Sequence, residues 1–503
     1  MVRDPAGTAA DVIVVGGGNA GLCAALAARE VVERVLLLEK APTVKRGGNS
    51  ALSGGRFRVP HGDLADVAAI VGKDPAELAN VDMQPYTEDD FRDDLLAMSH
   101  QRCDPELTEL IVGQARGGID WLKSMGARFE LPFGMDEVKQ GEKIRFMGGD
   151  DIQHYESGAG LVNNLYRQAA DRGIVMHYGC AATGLLTESG AISGVLARTA
   201  EGELRLTAPA VVLACGGFEA SAQMRAQYLG RGWDLAKVRG TEFNTGDGLN
   251  MAIEAGVRTN GNWSGCHAVA WDYLAPETGD WQHPDVHQRY SYRLGITVNR
   301  HGQRFFDEGE ALRAYTYASL GEKIIGQPGA YAVQIFDAKV MDLARGGYRW
   351  RTATKVVADD LGTIARELDV DPKGLAQTVA EYNASIHHDE VDFTGVDGRG
   401  TAGIQPAKSN WAMRIDKPPY SGFAVGAGIT FTFGGLQANS RGELLDDYRR
   451  PVPGLYAAGE LVGGIFYHNY PGGSGLVSGL VLGRRAGQAA AERAVAIAKS
   501  GPR

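Results

Sequence analysis

Two rhythms of apolar positions run along the chain: short unbroken apolar runs, and longer stretches with three- and four-residue spacing. The first run is Val12-Ile13-Val14-Val15. It is followed by Gly16-Gly17-Gly18-Asn19-Ala20-Gly21, an Ala-rich stretch over 22–29, and a second run, Val35-Leu36-Leu37-Leu38, that ends on Glu39. Unbroken apolar runs of this length predict strands buried on both faces, so residues 11–39 read as strand, tight turn, helix, strand, acid. Leu95, Leu96 and Met98, then Leu107, Leu110, Ile111, Ile119 and Leu122, recur at helical spacing and predict helices over 91–125. Asp104-Pro105-Glu106 marks the start of the second. A helix is expected over 160–172, a strand over 174–178, and a small β-meander over 180–215 that ends in the apolar strand 210–214. Asn244-Thr245-Gly246-Asp247-Gly248 leads into a helix through 255. Further on come a strand–turn–strand over 295–306, a strand over 330–337, and two helices within 356–386 around Val370-Asp371-Pro372. Strands follow near 429–433 and 454–458, and a last helix runs from near Gly475 to about 498. Residues 61–90 have no clear period and read as a surface excursion; 130–157 read as irregular and polar.

The first turn carries chemistry. Gly16 permits the tight turn, Gly18 lets a pyrophosphate approach the backbone, and Gly21 lets helix and strand pack closely. The helix that follows presents free N–H groups and a positive dipole end to a phosphate. Glu39, 18 residues after Gly21, stands where an acid hydrogen-bonds a ribose hydroxyl. The pattern therefore predicts dinucleotide binding. Two further stretches suit the same ligand. Arg46-Gly47-Gly48-Asn49-Ser50-Ala51-Leu52-Ser53-Gly54-Gly55 is small, polar and Gly-dense, suited to backbone lying against a flat ring system. Val452-Pro453-Gly454-Leu455-Tyr456-Ala457-Ala458-Gly459-Glu460 ends a strand in a turn followed by an acid, suited to a ribityl chain and pyrophosphate.

Composition narrows the class. At 503 residues two domains are expected. A hydrophobic content of 44% and a charged content of 22% are ordinary for a soluble enzyme, and 69 glycines fit repeated close approach of backbone to a cofactor. A net charge of −10 argues against nucleic acid. Met1-Val2-Arg3-Asp4 carries no apolar segment, so no secretory signal is expected, and no run reaches the ~20 apolar residues of a membrane span. Cys23, Cys103, Cys180, Cys215 and Cys266 are scattered and never spaced C-x-x-C. That predicts a reducing, cytoplasmic setting without an iron–sulfur or zinc site.

Gly47-Gly48-Asn49-Ser50 with Gly54-Gly55, then Ala214-Cys215-Gly216-Gly217-Phe218, then Gly454 to Glu460, resemble the fumarate reductase and succinate dehydrogenase flavoprotein superfamily. Within it the chain looks most like the tricarballylate dehydrogenases. The resemblance runs over about residues 10–490. It implies an α/β fold: a Rossmann-like FAD-binding domain, residues 1–261 and 411–503, with an inserted α+β capping domain, residues 262–410. It places FAD on Gly16, Gly18, Asn19, Ala20 and Gly21, and on Glu39 and Lys40. It adds Gly47, Gly48, Asn49, Ser50, Ser53, Gly54 and Gly55 in the Gly-dense stretch, then Ala214, Gly216 and Gly217. Asn244, Gly246 and Asp247 border the cofactor in the family, although Asp247 also reads as an ordinary helix cap. Gly459, Glu460, Gly475, Leu476 and Val477 complete the set. Some members hold FAD covalently through a His in the Gly-dense stretch; none lies within 45–60 here, so FAD is expected to be non-covalent.

The resemblance also implies a carboxylate-binding substrate site. Ser264-Gly265-Cys266-His267 matches the position of a carboxylate-binding His, the alternative being a structural His267. Gly346-Gly347-Tyr348-Arg349-Trp350-Arg351 loosely matches the segment that supplies the catalytic Arg, so Arg349 and Arg351 share that role, the alternative being a solvated basic turn. Phe431 stands where fumarate reductases carry a His, and Tyr470 where they carry an Arg, a pattern similar to the tricarballylate dehydrogenases. His468 and Tyr470 are the further candidates for holding a carboxylate or carbonyl. The expected activity is dehydrogenation, or the reverse, of a CH–CH bond in a small carboxylic acid such as a tricarballylate-like acid. Electrons would pass to a separate acceptor protein or quinone-linked partner. Two alternatives stand: a 3-ketosteroid-type dehydrogenase acting on an apolar ketone, against which the Arg, His and Tyr density of 263–351 argues, and an FAD-binding electron-transfer subunit without a substrate of its own.

Overall fold

The computed structural model describes residues 9–133, 137–146 and 151–500. The tetrapeptide Met1-Val2-Arg3-Asp4 and parts of the 130–157 stretch lie outside the described residues. The expected nucleotide-type start forms as a six-stranded sheet. Its order is Glu443–Leu445, Pro451–Ala457, Val211–Leu213, Val12–Val15, Val35–Glu39, Val175–Tyr178, parallel throughout except for the first pair. Val14 pairs with Leu37 on one side and Val212 on the other, and all four residues of Val12–Val15 are buried. That is why the strand tolerates no polar residue. The three-stranded antiparallel meander Ala181–Glu188, Ala191–Thr199, Gly202–Thr207 follows the expected pattern.

The first and last helices join the two ends of the chain. Ser474–Ser500 lies against Asn19–Arg29 with glycines at every fourth position facing it. A Cβ on Gly483 would come within 2.4 Å of the Ala20 carbonyl oxygen, and one on Gly487 within 2.1 Å of that of Ala24. Only a side-chain-free ridge permits this contact. It brings the start of the last helix to the first glycine turn, where Asn19 Nδ2 donates to the Leu476 carbonyl at 2.8 Å.

A second sheet is organised around the long strand Tyr420–Thr432. Cys266–Asp272, Ala332–Phe336 and Lys355–Ala358 pair with it antiparallel, Lys237–Val238 pairs with it parallel, and Ile296–Val298 pairs with Ala332–Phe336. The sheet thus takes strands from 237–238 and 420–432 as well as from within 262–410. Leu361–Glu367 and Pro372–Ala384 are the two helices expected around Asp371, whose carboxylate caps the second.

Three local expectations are corrected. Residues 61–90 include a helix, Leu64–Val71, capped by the Asp63 carboxylate at its start and by left-handed Gly72 at its end. Eight residues are too few to show a period. The 130–157 stretch contains the antiparallel pair Val138–Gln140 and Lys143–Arg145, and a strand, Asp151–His154. Residues 295–306 yield one strand, Ile296–Val298, closed by a single bridge from Val298 to Arg304. Among the described residues no helix is long and apolar enough to cross a membrane.

Candidate active site

The two sheets meet over one large cavity of about 370 Å³. Its nucleotide end is built as the glycines require. Gly16 has φ +108°, and a Cβ there would lie 2.3 Å from the Ala214 carbonyl oxygen; one on Gly21 would lie 1.9 Å from that of Gly16. Around Gly18, by contrast, the nearest atoms to such a Cβ are 3.7 Å away, an ordinary van der Waals distance, and the Gly18 backbone lines the cavity where a pyrophosphate could approach it. Glu39 is buried. Its Oε2 accepts from Gly17 N–H at 3.0 Å and its Oε1 from Ala41 N–H at 2.8 Å. Burial raises its carboxyl against the pull of these donors. Lys40 Nζ donates to Asp247 Oδ2 at 2.7 Å and to Thr245 Oγ1 at 2.6 Å, tying the end of the second strand to the Asn-Thr-Gly-Asp turn.

Asn49 is the knot of the central part. Its Nδ2 donates to Glu219 Oε1 and to the Thr430 carbonyl, each at 2.7 Å, and its Oδ1 accepts from Thr241 N–H at 2.9 Å. Three segments far apart in sequence are thereby fixed to the Gly-dense stretch. Glu219 also accepts from Asn244 Nδ2 at 2.6 Å, and Glu460 accepts from Thr432 N–H at 2.8 Å. Burial holds both carboxyls above the usual range, Glu460 the more strongly because Glu219 stands next to it.

Most of the expected cofactor residues line this cavity. Gly21, Gly47, Gly217, Gly246 and Val477 do not. Gly21 packs on Gly16, and the other three glycines would place a Cβ on Val162, Glu460 and Met224 respectively; Val477 is fully buried. These five shape the wall from behind. The glycine cradle, the Gly18 backbone in the cavity wall and the acid at Glu39 fit FAD.

At the other end His267 and Tyr470 face the cavity together. His267 opposes Phe431 at an irregularity in the pairing of Cys266–Asp272 with Tyr420–Thr432, which turns its ring inward. The ring stacks on Tyr470 (4.9 Å between centroids) and meets Tyr317 and Phe431 edge-on. Both of its nitrogens lack a hydrogen-bond partner. Burial first, and then the Arg239 charge, push it well below the usual 6.5, so it is a neutral imidazole at pH 7. His267→Gln should therefore leave the acid side of a pH–rate profile unchanged; loss of a limb near pH 6.5 would contradict this.

Arg349, Arg351 and His468 are not brought to the cavity. Arg349 is two-thirds exposed, with Nη2 donating to the Asp342 carbonyl at 3.2 Å, and Arg351 is exposed. Arg349 ends the short turn Gly346–Arg349, whose Gly347 and Tyr348 are buried, and Arg351 follows it. His468 is exposed and packs on His100, 4.5 Å between ring centroids.

Arg239 and Arg313 line the cavity instead. Arg239 follows the strand Lys237–Val238 and is directed inward by that pairing. It bonds Asp285 Oδ1 through Nη2 at 2.6 Å and Nε at 2.8 Å, and Thr430 Oγ1 through Nη1 at 3.1 Å. Asp285 holds this pair from a left-handed backbone, φ +66°, a strained conformation of the kind retained at functional sites. Arg313 opens the turn Arg313–Thr316, its guanidinium 4.9 Å from the Tyr317 ring and 5.4 Å from that of Tyr290. The Arg, His and Tyr density of 263–351 contains Arg313 but does not say which Arg turns inward, and Arg239 lies outside it.

A sequence profile of the family described as FAD binding domain matches residues 11–477. A probable fumarate reductase of Shewanella frigidimarina is 28% identical over 494 residues, which cover 96% of this chain and 75% of that protein. A urocanate reductase of Eggerthella lenta is 28% identical over 503 residues, covering 96% and 75%. The open conformation of a flavocytochrome c3 fumarate reductase superposes with a TM-score of 0.72 at 26% identity, covering 97% of this chain and 79% of that one.

Proposed function

The chain belongs to the FAD-binding-domain family, and from that premise we propose that it is an FAD-dependent oxidoreductase that interconverts a CH–CH bond and a C=C bond in a carboxylic acid. The observation that carries this reading is two guanidinium groups, Arg239 and Arg313, set in an aromatic wall at the far end of a glycine-built dinucleotide cavity. When bound, FAD supplies the two-electron hydride donor or acceptor. The chain's own residues hold the acid and manage its proton. A planar guanidinium receives a carboxylate bidentately. Arg239 is kept in place by Asp285, and Arg313 by the Tyr290 and Tyr317 rings. Buried Tyr317 titrates well above 10, so at neutral pH it, like Arg313, carries a proton to give. The Asp285 carboxylate, in the wall of the same cavity, is committed to Arg239. Donors of this kind suit protonation of the double bond, and so its reduction.

The relatives named for fumarate and urocanate reduction make unsaturated acids the first substrates to try. A tricarballylate-like acid remains the finer reading from the chain's own motifs. The aromatic wall of His267, Tyr317, Phe431 and Tyr470 favours a second one, an acid with a flat ring. An anaerobic panel separates them, scoring flavin bleaching by saturated acids and recovery of flavin colour by unsaturated ones. Response to a ketosteroid alone would replace the acid reading. Residues 262–410, with the strands that join them in the second sheet, make up the proposed capping domain. A cytoplasmic setting and a separate electron partner complete the reading; the five cysteines, all free, offer this chain no cluster for its own electron relay.

FAD is held without a covalent link in this reading, Asn49 standing in the Gly-dense stretch where a linking His would be. Acid precipitation should release all of the yellow colour to the supernatant; colour left on the pellet would contradict it. Glu39→Ala should weaken FAD binding by about 1.5–3 kcal/mol for a lost charged acceptor, read by flavin titration of the apoprotein, and unchanged affinity would remove Glu39 from the cofactor site.

A further inference from the structure

A side cavity of about 170 Å³ adjoins the main one, and the two share Gln288, Tyr290 and Arg313 in their walls. Among the described residues its own lining adds Lys139, Arg293 and Arg345 and one carboxylate, Glu137. In a chain of net charge −10 this is a local reversal of sign. The cations are graded in depth: Lys139 and Arg345 are exposed, Arg293 and Arg313 half-buried. Tyr290, at the junction, is 8% exposed, and its buried hydroxyl has no hydrogen-bond partner. It is a polar group ready for a solute passing between the two spaces.

We infer that the side cavity is an anion-selective vestibule through which a carboxylate substrate reaches the main cavity. The inference rests on the proposed carboxylic-acid substrate and adds its route and the residues that select it. Low-dielectric walls focus the field of the four cations, and such focusing raises association rates of anions by factors of about 10–1,000, with a steep loss at high salt. Arg345 is suited to this work. Its backbone N–H is fixed to Ser291 Oγ at 3.0 Å while its side chain stays exposed at the outer end. The Arg-rich segment 345–351 thus contributes a charge to the approach rather than to the bond-making end.

The test compares holoprotein Arg345→Glu with Arg198→Glu, which makes the same charge change on the distant meander, where Arg198 is 66% exposed. Two readouts are used. With any acid that exchanges electrons with the flavin, Arg345→Glu should lower kcat/KM about fivefold at low ionic strength and leave kcat unchanged. The gap should close as salt is raised. Independently of substrate, reduction of the flavin by dithionite, an anionic reductant, should slow by a similar factor, while re-oxidation by neutral dioxygen should not change. Arg198→Glu should match the parent in both. If acids act on the parent flavin but Arg345→Glu matches Arg198→Glu in both readouts, the vestibule is overturned and the carboxylic-acid reading stands. If no acid acts on the flavin but the dithionite rate falls, the anion route stands and the substrate reading fails.

Discussion

Arg313→Ala is expected to be nearly inactive with its flavin still bound, while Arg349→Ala and Arg351→Ala stay within about twofold of the parent. Removing a guanidinium that pairs with a substrate carboxylate leaves that charge desolvated and unpartnered, a loss of about 2–5 kcal/mol in transition-state binding. Arg313 lines the cavity, and its guanidinium is held by two tyrosine rings. Neither Arg349 nor Arg351 lines it. Arg239→Ala should cost a comparable amount, because it also strands the Asp285 carboxylate. Lysine should rescue neither position, since a point charge cannot reproduce the planar fork. Steady-state kcat/KM beside the visible flavin spectrum checks this. A dead Arg349 or Arg351 variant and a healthy Arg313 variant would return the chemistry to the surface turn.

The second large effect is on the cofactor itself. Gly21→Val should yield colourless protein. The first side-chain carbon would sit 1.9 Å from the Gly16 carbonyl oxygen, an overlap that backbone cannot absorb without opening the turn. That turn sets both the approach at Gly18 and the hydrogen bond from Gly17 N–H to Glu39. Flavin content per chain after purification is the readout, with far-ultraviolet circular dichroism to show that the chain has folded. A folded Gly21→Val protein with full flavin would mean that the cofactor lies elsewhere.

What the sequence made legible was local. Asp11 to Glu39 encodes strand, turn, helix, strand and acid within about thirty residues, each step set by near neighbours, and it folds as read. Asp104-Pro105 and Asp371-Pro372 likewise announce their helices through caps that need no distant partner. The active end was not legible in that way. Arg239 faces inward because Lys237–Val238 pairs with Gly428 and Ile429, and it bonds Thr430, a residue 191 positions away. Nothing in the neighbourhood of Arg239 encodes that pairing. Arg349 and Arg351 were placed by a loose likeness of one short segment, and a shift of a few residues moves an Arg from cavity to solvent. The same holds for His468, two residues from inward-facing Tyr470 and yet exposed. The glycine ridge of the last helix was visible as composition, but its purpose depends on the Ala20 and Ala24 carbonyls at the other end of the chain.

The central claim is the exchange of hydride between a bound flavin and a carboxylic acid at the end of the cavity built around Arg239 and Arg313. Its most direct test is a single anaerobic turnover: the flavin is photoreduced, one equivalent of an unsaturated acid is added, and both the flavin spectrum and the acid are followed. The account predicts full return of the oxidised flavin spectrum with one equivalent of saturated acid formed, and neither change in Arg313→Ala. A flavin that stays reduced with every unsaturated acid tried, yet is oxidised stoichiometrically by an unsaturated ketone without a carboxylate, would contradict it.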